Sequence, residues 1–224
     1  MKEFTNLLTR PTPKELLLGG TPYAINSDFR IGIRYGITLE SDVEDITDED
    51  KLLYVLRIFY EKFPSTDVIR DAVRKMVWFM GGGEEDFFPH RVMETKGEKI
   101  RKVFDFVTDS KLIFAAMYAQ YGIDLNPDTT PYLHWWKFRA MFAGLNDTHE
   151  IVKIIGYRSC NTGQIKDKTY RAEIRRLQRV HALPVSRAPS KEKMQQMAGS
   201  IFGPAMANAY EKQQIEKAGR SNGS

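Results

Sequence analysis

Leu133-His134-Trp135-Trp136-Lys137-Phe138-Arg139-Ala140-Met141-Phe142-Ala143-Gly144-Leu145, followed after a short break by Ile151-Val152-Lys153-Ile154-Ile155-Gly156-Tyr157-Arg158-Ser159, is the stretch that decides the fold. It holds two of the chain's three tryptophans. A large aromatic removes roughly 150–250 Å² from water when buried, so adjacent tryptophans beside Phe138 and Phe142 build either a core or a docking surface. Helical spacing joins Trp136 to Ala140 and Leu133 as a core seam. Trp135 and Arg139 lie to another side of the same helix and form a candidate interface anchor.

The run Leu133 to Arg139, the phrase Ile154-Ile155-Gly156-Tyr157-Arg158-Ser159 and the later Ile165-Lys166-Asp167-Lys168 resemble, in that order and at similar spacing, motifs of the tail assembly chaperone-like proteins of tailed phages with long, non-contractile tails. In these siphophages the gene usually lies just before that of the tape measure protein. The resemblance covers residues 14–184 and is strongest from Phe104 onward. It implies a non-enzymatic, cytoplasmic protein without cofactors. Such a protein binds the tape measure protein and keeps its long helical, apolar surface from aggregating while the tail tube polymerises. It also implies tail tube protein and other tail assembly chaperone subunits as further partners, and absence from the mature virion. The candidate partner-binding residues are Trp135, Arg139, Tyr157, Arg158, Arg175, Arg176 and Arg179, all read as surface-facing.

At 224 residues the chain suits one domain with tails: a flexible lead-in over 1–13, a helical domain over 14–184 and a basic and polar tail over 185–224. Hydrophobic residues at 42% and charged residues at 28% exclude wholesale disorder and collagen-like classes. The single Cys160 cannot form an internal disulfide and fits a reducing compartment. No apolar run approaches the roughly 20 residues that span a bilayer, and Met1 to Arg10 lacks the apolar stretch of a signal peptide. The net charge of +4 is unevenly spread, with acid concentrated from Glu40 to Asp50 and base from Lys166 to Lys193. That asymmetry suits self-assembly or a partner with complementary patches.

Taken in order, Leu16-Leu17-Leu18, Gly19-Gly20 and Tyr23-Ala24-Ile25 read as a short hairpin. Over 27–40 two readings compete. Phe29, Ile31, Ile33 and Tyr35 alternate as in a half-buried strand, whereas Ser27 or Asp28 would cap a helix with Phe29, Ile33 and Ile37 inward. The resemblance favours the helix, although Gly32 and Gly36 each cost a helix roughly 1 kcal/mol against Ala. Thr47 caps the next helix, with Asp48, Glu49 and Asp50 in its first turn and Leu52, Val55, Leu56, Phe59 and Phe63 on one face, up to Pro64. Ser65 or Thr66 starts another, with Ile69, Ala72, Val73, Met76, Val77 and Met80 inward and Gly81-Gly82-Gly83 as the stop. The two helices then form a pair with a very short connection.

Residues 81–99 read as a mobile, Gly-rich and charged loop around Phe87-Phe88-Pro89. A helix from Asp109 to Tyr121 follows, with Ile113, Ala116 and Met117 on its face and Gly122 as its stop. The resemblance includes Tyr121-Gly122-Ile123-Asp124-Leu125 as the link to the Trp-bearing helix, which is expected from Pro131 to Phe142. Asp147 and Glu150 have capping-box spacing for a helix through Ile154 and Ile155. Tyr170, Ile174, Leu177 and His181 mark a last helix ending at Pro184, with Arg171, Arg175, Arg176 and Arg179 on its other faces. Beyond Pro189 the composition suggests a tail with a transient helix from Met206 to Lys217. The sum is a mainly α fold, a compact domain of about six helices with a small N-terminal β-hairpin and a flexible C-terminal tail.

Chemical motifs are absent where they were sought. His90, His134, His149 and His181 lack metal-ligand spacing, and His134 reads as a hydrogen-bonded helix residue. Gly81-Gly82-Gly83 lacks the Lys-Ser/Thr of a phosphate loop, and the acids of 42–50 lack an EF-hand's spacing. Ser159-Cys160 has no base nearby in sequence. Met76, Met80, Met117 and Met141 are candidates for an adaptable apolar groove, with core as the alternative. The basic helix 166–179 leaves two alternatives to a chaperone: a nucleic-acid-binding accessory protein, or a minor structural tail protein.

Overall fold

Gly19 and Gly20 hold φ of 55° and 86°, the left-handed backbone that glycine adopts without a Cβ penalty, and they close the expected two-residue hairpin. The structure is a computed structural model that describes residues 6–83, 91–92, 101–184 and 193–197. Strands β1 (Glu15–Leu18) and β2 (Thr21–Ala24) pair antiparallel, Leu16 opposite Tyr23 and Leu18 opposite Thr21. Alternation along β1 buries Leu16 and Leu18 and leaves Leu17 exposed. A Cβ at Gly19 would come within 3.0 Å of Val68 Cγ1, a second reason for glycine there.

The described residues divide between two compact units, one within 1–85 and 187–224, the other within 86–186. In the first, 27–40 is decided for the helix. Helix α1 (Phe29–Glu40) is capped by Asp28, whose carboxylate accepts the Arg30 backbone N–H at 3.0 Å. Its buried face runs through Phe29, Ile31, Gly32, Tyr35, Gly36 and Leu39. The expected face through Ile33 and Ile37 is corrected, since Ile33 is half-buried and Ile37 exposed. The two glycines sit on the packed side, where burial offsets their poor helix propensity.

Helix α2 (Asp48–Phe59) starts at a reciprocal capping box: Thr47 Oγ1 accepts the Asp50 N–H at 3.1 Å, and Asp50 Oδ2 accepts the Thr47 N–H at 3.0 Å. Leu52, Val55, Leu56 and Phe59 are buried as expected. The helix ends at Phe59, not at Pro64, because the hairpin captures the chain: Tyr60 turns extended and bridges Ile25, Asn26 N–H donates to Phe59 O at 2.7 Å, and Glu61 N–H donates to Ala24 O at 3.2 Å. Phe63 therefore lies beyond the helix and is exposed. The buried Tyr60 hydroxyl donates to Ala72 O at 2.9 Å, and burial pushes its phenol well above the usual value.

Helix α3 (Ile69–Met80) begins later than the cap expected at Ser65 or Thr66. Residues 65–68 form a turn instead, with Val68 N–H donating to Ser65 O at 3.2 Å, so the connection from α2 spans 60–68 and is not very short. Its inward face is the expected one, with Phe79 added, and Gly81 caps its end.

In the second unit, β3 (Arg91–Val92) and β4 (Arg101–Lys102) pair antiparallel, which corrects the loop expected over 81–99 at Arg91 and Val92. Phe87-Phe88-Pro89 lies outside the described residues. Helix α4 (Ser110–Tyr121) buries Ile113, Ala116 and Met117 and ends on Gly122, whose φ of 66° makes it the expected left-handed cap. Helix α5 (Trp135–Ala143) starts after Pro131, because the His134 side chain is the cap: its Nδ1 accepts the Trp136 N–H at 3.1 Å. Helix α6 (Glu150–Ser159) follows His149, Asp147 does not cap it, and it runs past Ile155 to Ser159.

After a 3-10 turn (Thr162–Gln164) comes α7 (Lys168–Val180), capped by Asp167, which accepts the Tyr170 N–H at 2.6 Å. It ends on His181 before Pro184, and of its expected inward residues Ile174 is buried while Tyr170 is exposed. Helix α4 packs on α5 and α6, and α6 packs on α7. Within the tail, residues 193–197 are helical and bury Met194 and Met197; the helix expected over 206–217 lies outside the described residues. Among the described residues, no helix is long and apolar enough to cross a membrane.

Candidate partner-binding surface

The second unit is organised around Arg158, the last-turn arginine of α6. Its guanidinium reaches three segments: Nε donates to His181 O at 2.6 Å, Nη1 to Val103 O at 3.2 Å, and Nη1 and Nη2 grip both Asp109 oxygens at 2.7 and 3.1 Å. The planar fork of arginine suits this bidentate grip. Arg158 is 9% exposed and Asp109 is 2% exposed, so the residue expected on the surface is an internal fastener.

Trp135 is corrected in the same direction. It is 3% exposed and stacks with Phe138 at 5.7 Å between ring centroids. Phe106 approaches it at 6.4 Å, and Phe104 joins Phe106 and Phe142 at 5.3 and 4.9 Å. Both tryptophans are therefore core. The segment 103–106, threaded beside α5, covers the side of the helix that spacing alone leaves open. Ala140, placed in the core seam by the sequence, is exposed, and Leu133 is half-buried. Arg139 is half-buried. Tyr157 is half-buried, its ring 6.3 Å from that of His181 and its carbonyl accepting from Gln178 Nε2 at 2.9 Å.

Arg175, Arg176 and Arg179 are exposed along α7, as expected. Arg176 pairs with Glu173 at 2.7 Å on the same helix, and the bond to Arg176 holds the Glu173 carboxyl below its usual range. Arg171 is turned inward to the carbonyls of Ile165 and Lys166. Of the seven candidate residues, Arg175, Arg176 and Arg179 lie exposed on one helix, Arg139 and Tyr157 are half-buried, and Trp135 and Arg158 are buried. Met76, Met80 and Met117 are buried, which leaves Met141, half-buried, as the remaining candidate among the four methionines named from sequence.

What the sequence reading missed is the outer side of α4. Phe114 is 39% exposed and Tyr118 56% exposed, one helical turn apart, with rings parallel to within 3° and centroids 6.2 Å apart. Lys111, Ala115 and Ala119 lie exposed beside them, and Val107 stands exposed just before the helix. The result is an aromatic stripe flanked by small residues and one cation, a composition found where apolar helices dock. Its signal was present in the sequence, since α4 carries apolar residues on both sides.

The base under this stripe is held polar group by polar group. Gln120 donates to Gly144 O at 2.9 Å, accepts the Asn146 N–H at 2.8 Å and meets His149 Nε2 at 3.0 Å, tying the end of α5 to the start of α6. That clasp holds His149, the residue that α6 follows, in place of the expected cap at Asp147. Tyr121 donates to Met141 O at 2.9 Å. Upstream, Asp105 is partly buried, which raises its pKa, but Lys102 Nζ at 2.5 Å and the bond from the Thr108 N–H outweigh this and hold its carboxyl at about 2.

Residues 13–183 match the family model described as Bacteriophage Gp15 protein. No curated protein and no solved structure matches the chain.

Proposed function

The chain belongs to the bacteriophage Gp15 protein family, and we propose that it is a tail assembly chaperone that acts by binding, without catalysis. The partner is the tape measure protein of the same phage, held soluble in the host cytoplasm while tube subunits polymerise around it. Two things support this reading: the ordered motifs from Leu133 to Lys168 that resemble tail assembly chaperone-like proteins, and the exposed Phe114–Tyr118 stripe on α4. The stripe is the observation that carries it. An apolar face of this kind takes the apolar side of an amphipathic helix, which fits the long helical, apolar surface that the resemblance implies for a tape measure protein.

Co-expression of the chain with the tape measure protein of its own phage is the test. A soluble complex that co-elutes on size exclusion supports the proposal. A tape measure protein that stays insoluble and unbound overturns it. A chaperone is also absent from finished particles, so its peptides in the mass spectrum of purified virions point to a structural tail protein instead. The second reading, nucleic-acid binding, has Arg175, Arg176 and Arg179 exposed on α7 in its favour. It requires retention on DNA or RNA that falls steeply with added salt.

A further inference from the structure

In the first unit, the helical residues 193–197 sit against the α1 and α2 pair. Met194 and Met197 are 0% and 5% exposed, the Tyr35 hydroxyl of α1 approaches Met194 Sδ at 3.9 Å, and Lys193 pairs with Asp48 in the first turn of α2. Two apolar side chains one turn apart and one ion pair at the rim make up the seat.

From this occupied seat we infer that the groove beside Tyr35 and Asp48 is a docking site for an amphipathic helix of a partner, and that Lys193–Met197 occupies it in the partner's absence. The chemistry of the occupant is read from the one already there: two apolar side chains at i and i+3, with a Lys or Arg just before the first. Charge supports the same class of ligand. The run 42–50 holds Asp42, Glu44, Asp45, Asp48, Glu49 and Asp50, so a helix flanked by base is its complement.

Exchange is built into the contact. Methionine is unbranched and adaptable, the residue used where one surface accepts several partners. The ion pair at the rim is half-exposed on the lysine side, at 55%, and such a pair adds little. A weak segment of this kind holds its place through high local concentration on its own chain. An incoming helix with the same pattern and more apolar contact displaces it. The inference does not rest on the tape measure reading.

The test uses the full chain and a labelled peptide with the sequence of residues 190–200. In the variant Met194→Asp/Met197→Asp the seat is emptied. The peptide is expected to bind this variant saturably and the unaltered chain at least about tenfold more weakly, the difference being the local concentration of the resident segment. A peptide carrying Met194→Leu and Met197→Leu is expected to bind within about threefold of the first, since the groove asks for apolar bulk at the same spacing. Equal binding to both chains, or none to an emptied chain with an unchanged circular dichroism spectrum, overturns the inference. So does binding that accepts methionine and refuses leucine, for then the seat serves only its own segment. If the Asp variant loses its helical signal, Met194→Ala/Met197→Ala takes its place with the same expected order.

Discussion

Arg158 on α6 and Asp109 at the start of α4 form a buried bidentate ion pair, Nη1 to Oδ2 at 2.7 Å and Nη2 to Oδ1 at 3.1 Å. Removing either partner leaves an uncompensated charge in a place water reaches poorly, which typically costs about 3–5 kcal/mol. Arg158→Ala and Asp109→Ala are therefore expected to lose comparable stability in urea titration. Arg158→Lys is expected to lose nearly as much, because an ammonium cannot make the fork or reach His181 O and Val103 O together. The double change Arg158→Met/Asp109→Leu is expected to be milder than the sum of the two single changes. A sum that is simply additive would mean that the pair does not act as a unit.

Trp135→Ala and Trp136→Ala are both expected to destabilise by about 3–5 kcal/mol, the range for truncating a buried aromatic. The 3% exposure of Trp135 and its stacking on Phe138 leave it no separate docking role. Partner binding per folded molecule should be the same for both variants. A Trp135→Ala protein that keeps its thermal midpoint yet loses binding would place this ring at an interface after all.

These residues show which parts of the fold were legible and which were not. Periodicity found the inner faces of α2, α3 and α4, because each depends on side chains within one helix. It could not find what comes from a distant segment. Trp135 is covered by 103–106, a segment distant in sequence that helical spacing around Trp135 does not show. Tyr60 leaves α2 because Ile25 captures it, which no local pattern near Pro64 shows. Arg158 read as a surface cation for want of a visible partner, and Asp109 as a helix start; their pairing is a property of two helices. At α1 the alternating pattern pointed to a strand, whereas the chain forms a helix capped by Asp28 with Gly32 and Gly36 on its packed side. Of the candidate site, Arg175, Arg176 and Arg179 were found by composition alone, whereas the Phe114–Tyr118 stripe was hidden by an α4 that is apolar on both sides.

Stability is expected to fall with acid through Asp105. Its carboxyl titrates at about 2 when folded, below the value of 3.8 for the free group. The unfolded chain thus binds the proton more readily, and stability rises with pH across this interval. The contribution is fully present above pH 4 and is lost as the pH falls through about 2. Asp48, held low first of all by its bond to Lys193, acts in the same direction in the other unit. Asp105→Asn should flatten the acid limb of the stability profile measured between pH 5 and pH 2 by urea titration. An unchanged acid limb would show that Lys102 and the Thr108 N–H do not hold the charged form.

The stripe on α4 makes the separation between fold and function measurable. Phe114 and Tyr118 are exposed, and each buries only part of its ring against the other, so Phe114→Ser and Tyr118→Ser should each change stability by less than about 1 kcal/mol. Binding is another matter, since an aromatic that enters a partner's apolar face typically carries 2 kcal/mol or more of the interaction. The double variant should therefore bind a tape measure fragment at least about thirtyfold more weakly, by isothermal titration, while its urea midpoint stays near that of the unaltered chain. Lys111→Glu, one turn earlier, should alter the salt dependence of binding more than its strength at high salt, because a rim charge acts through long-range attraction. If the double variant binds normally, the docking face lies elsewhere. The basic outer side of α7 is then the next place to test, and Arg175→Glu/Arg179→Glu becomes the deciding variant, since it reverses exposed charge without touching the buried Ile174.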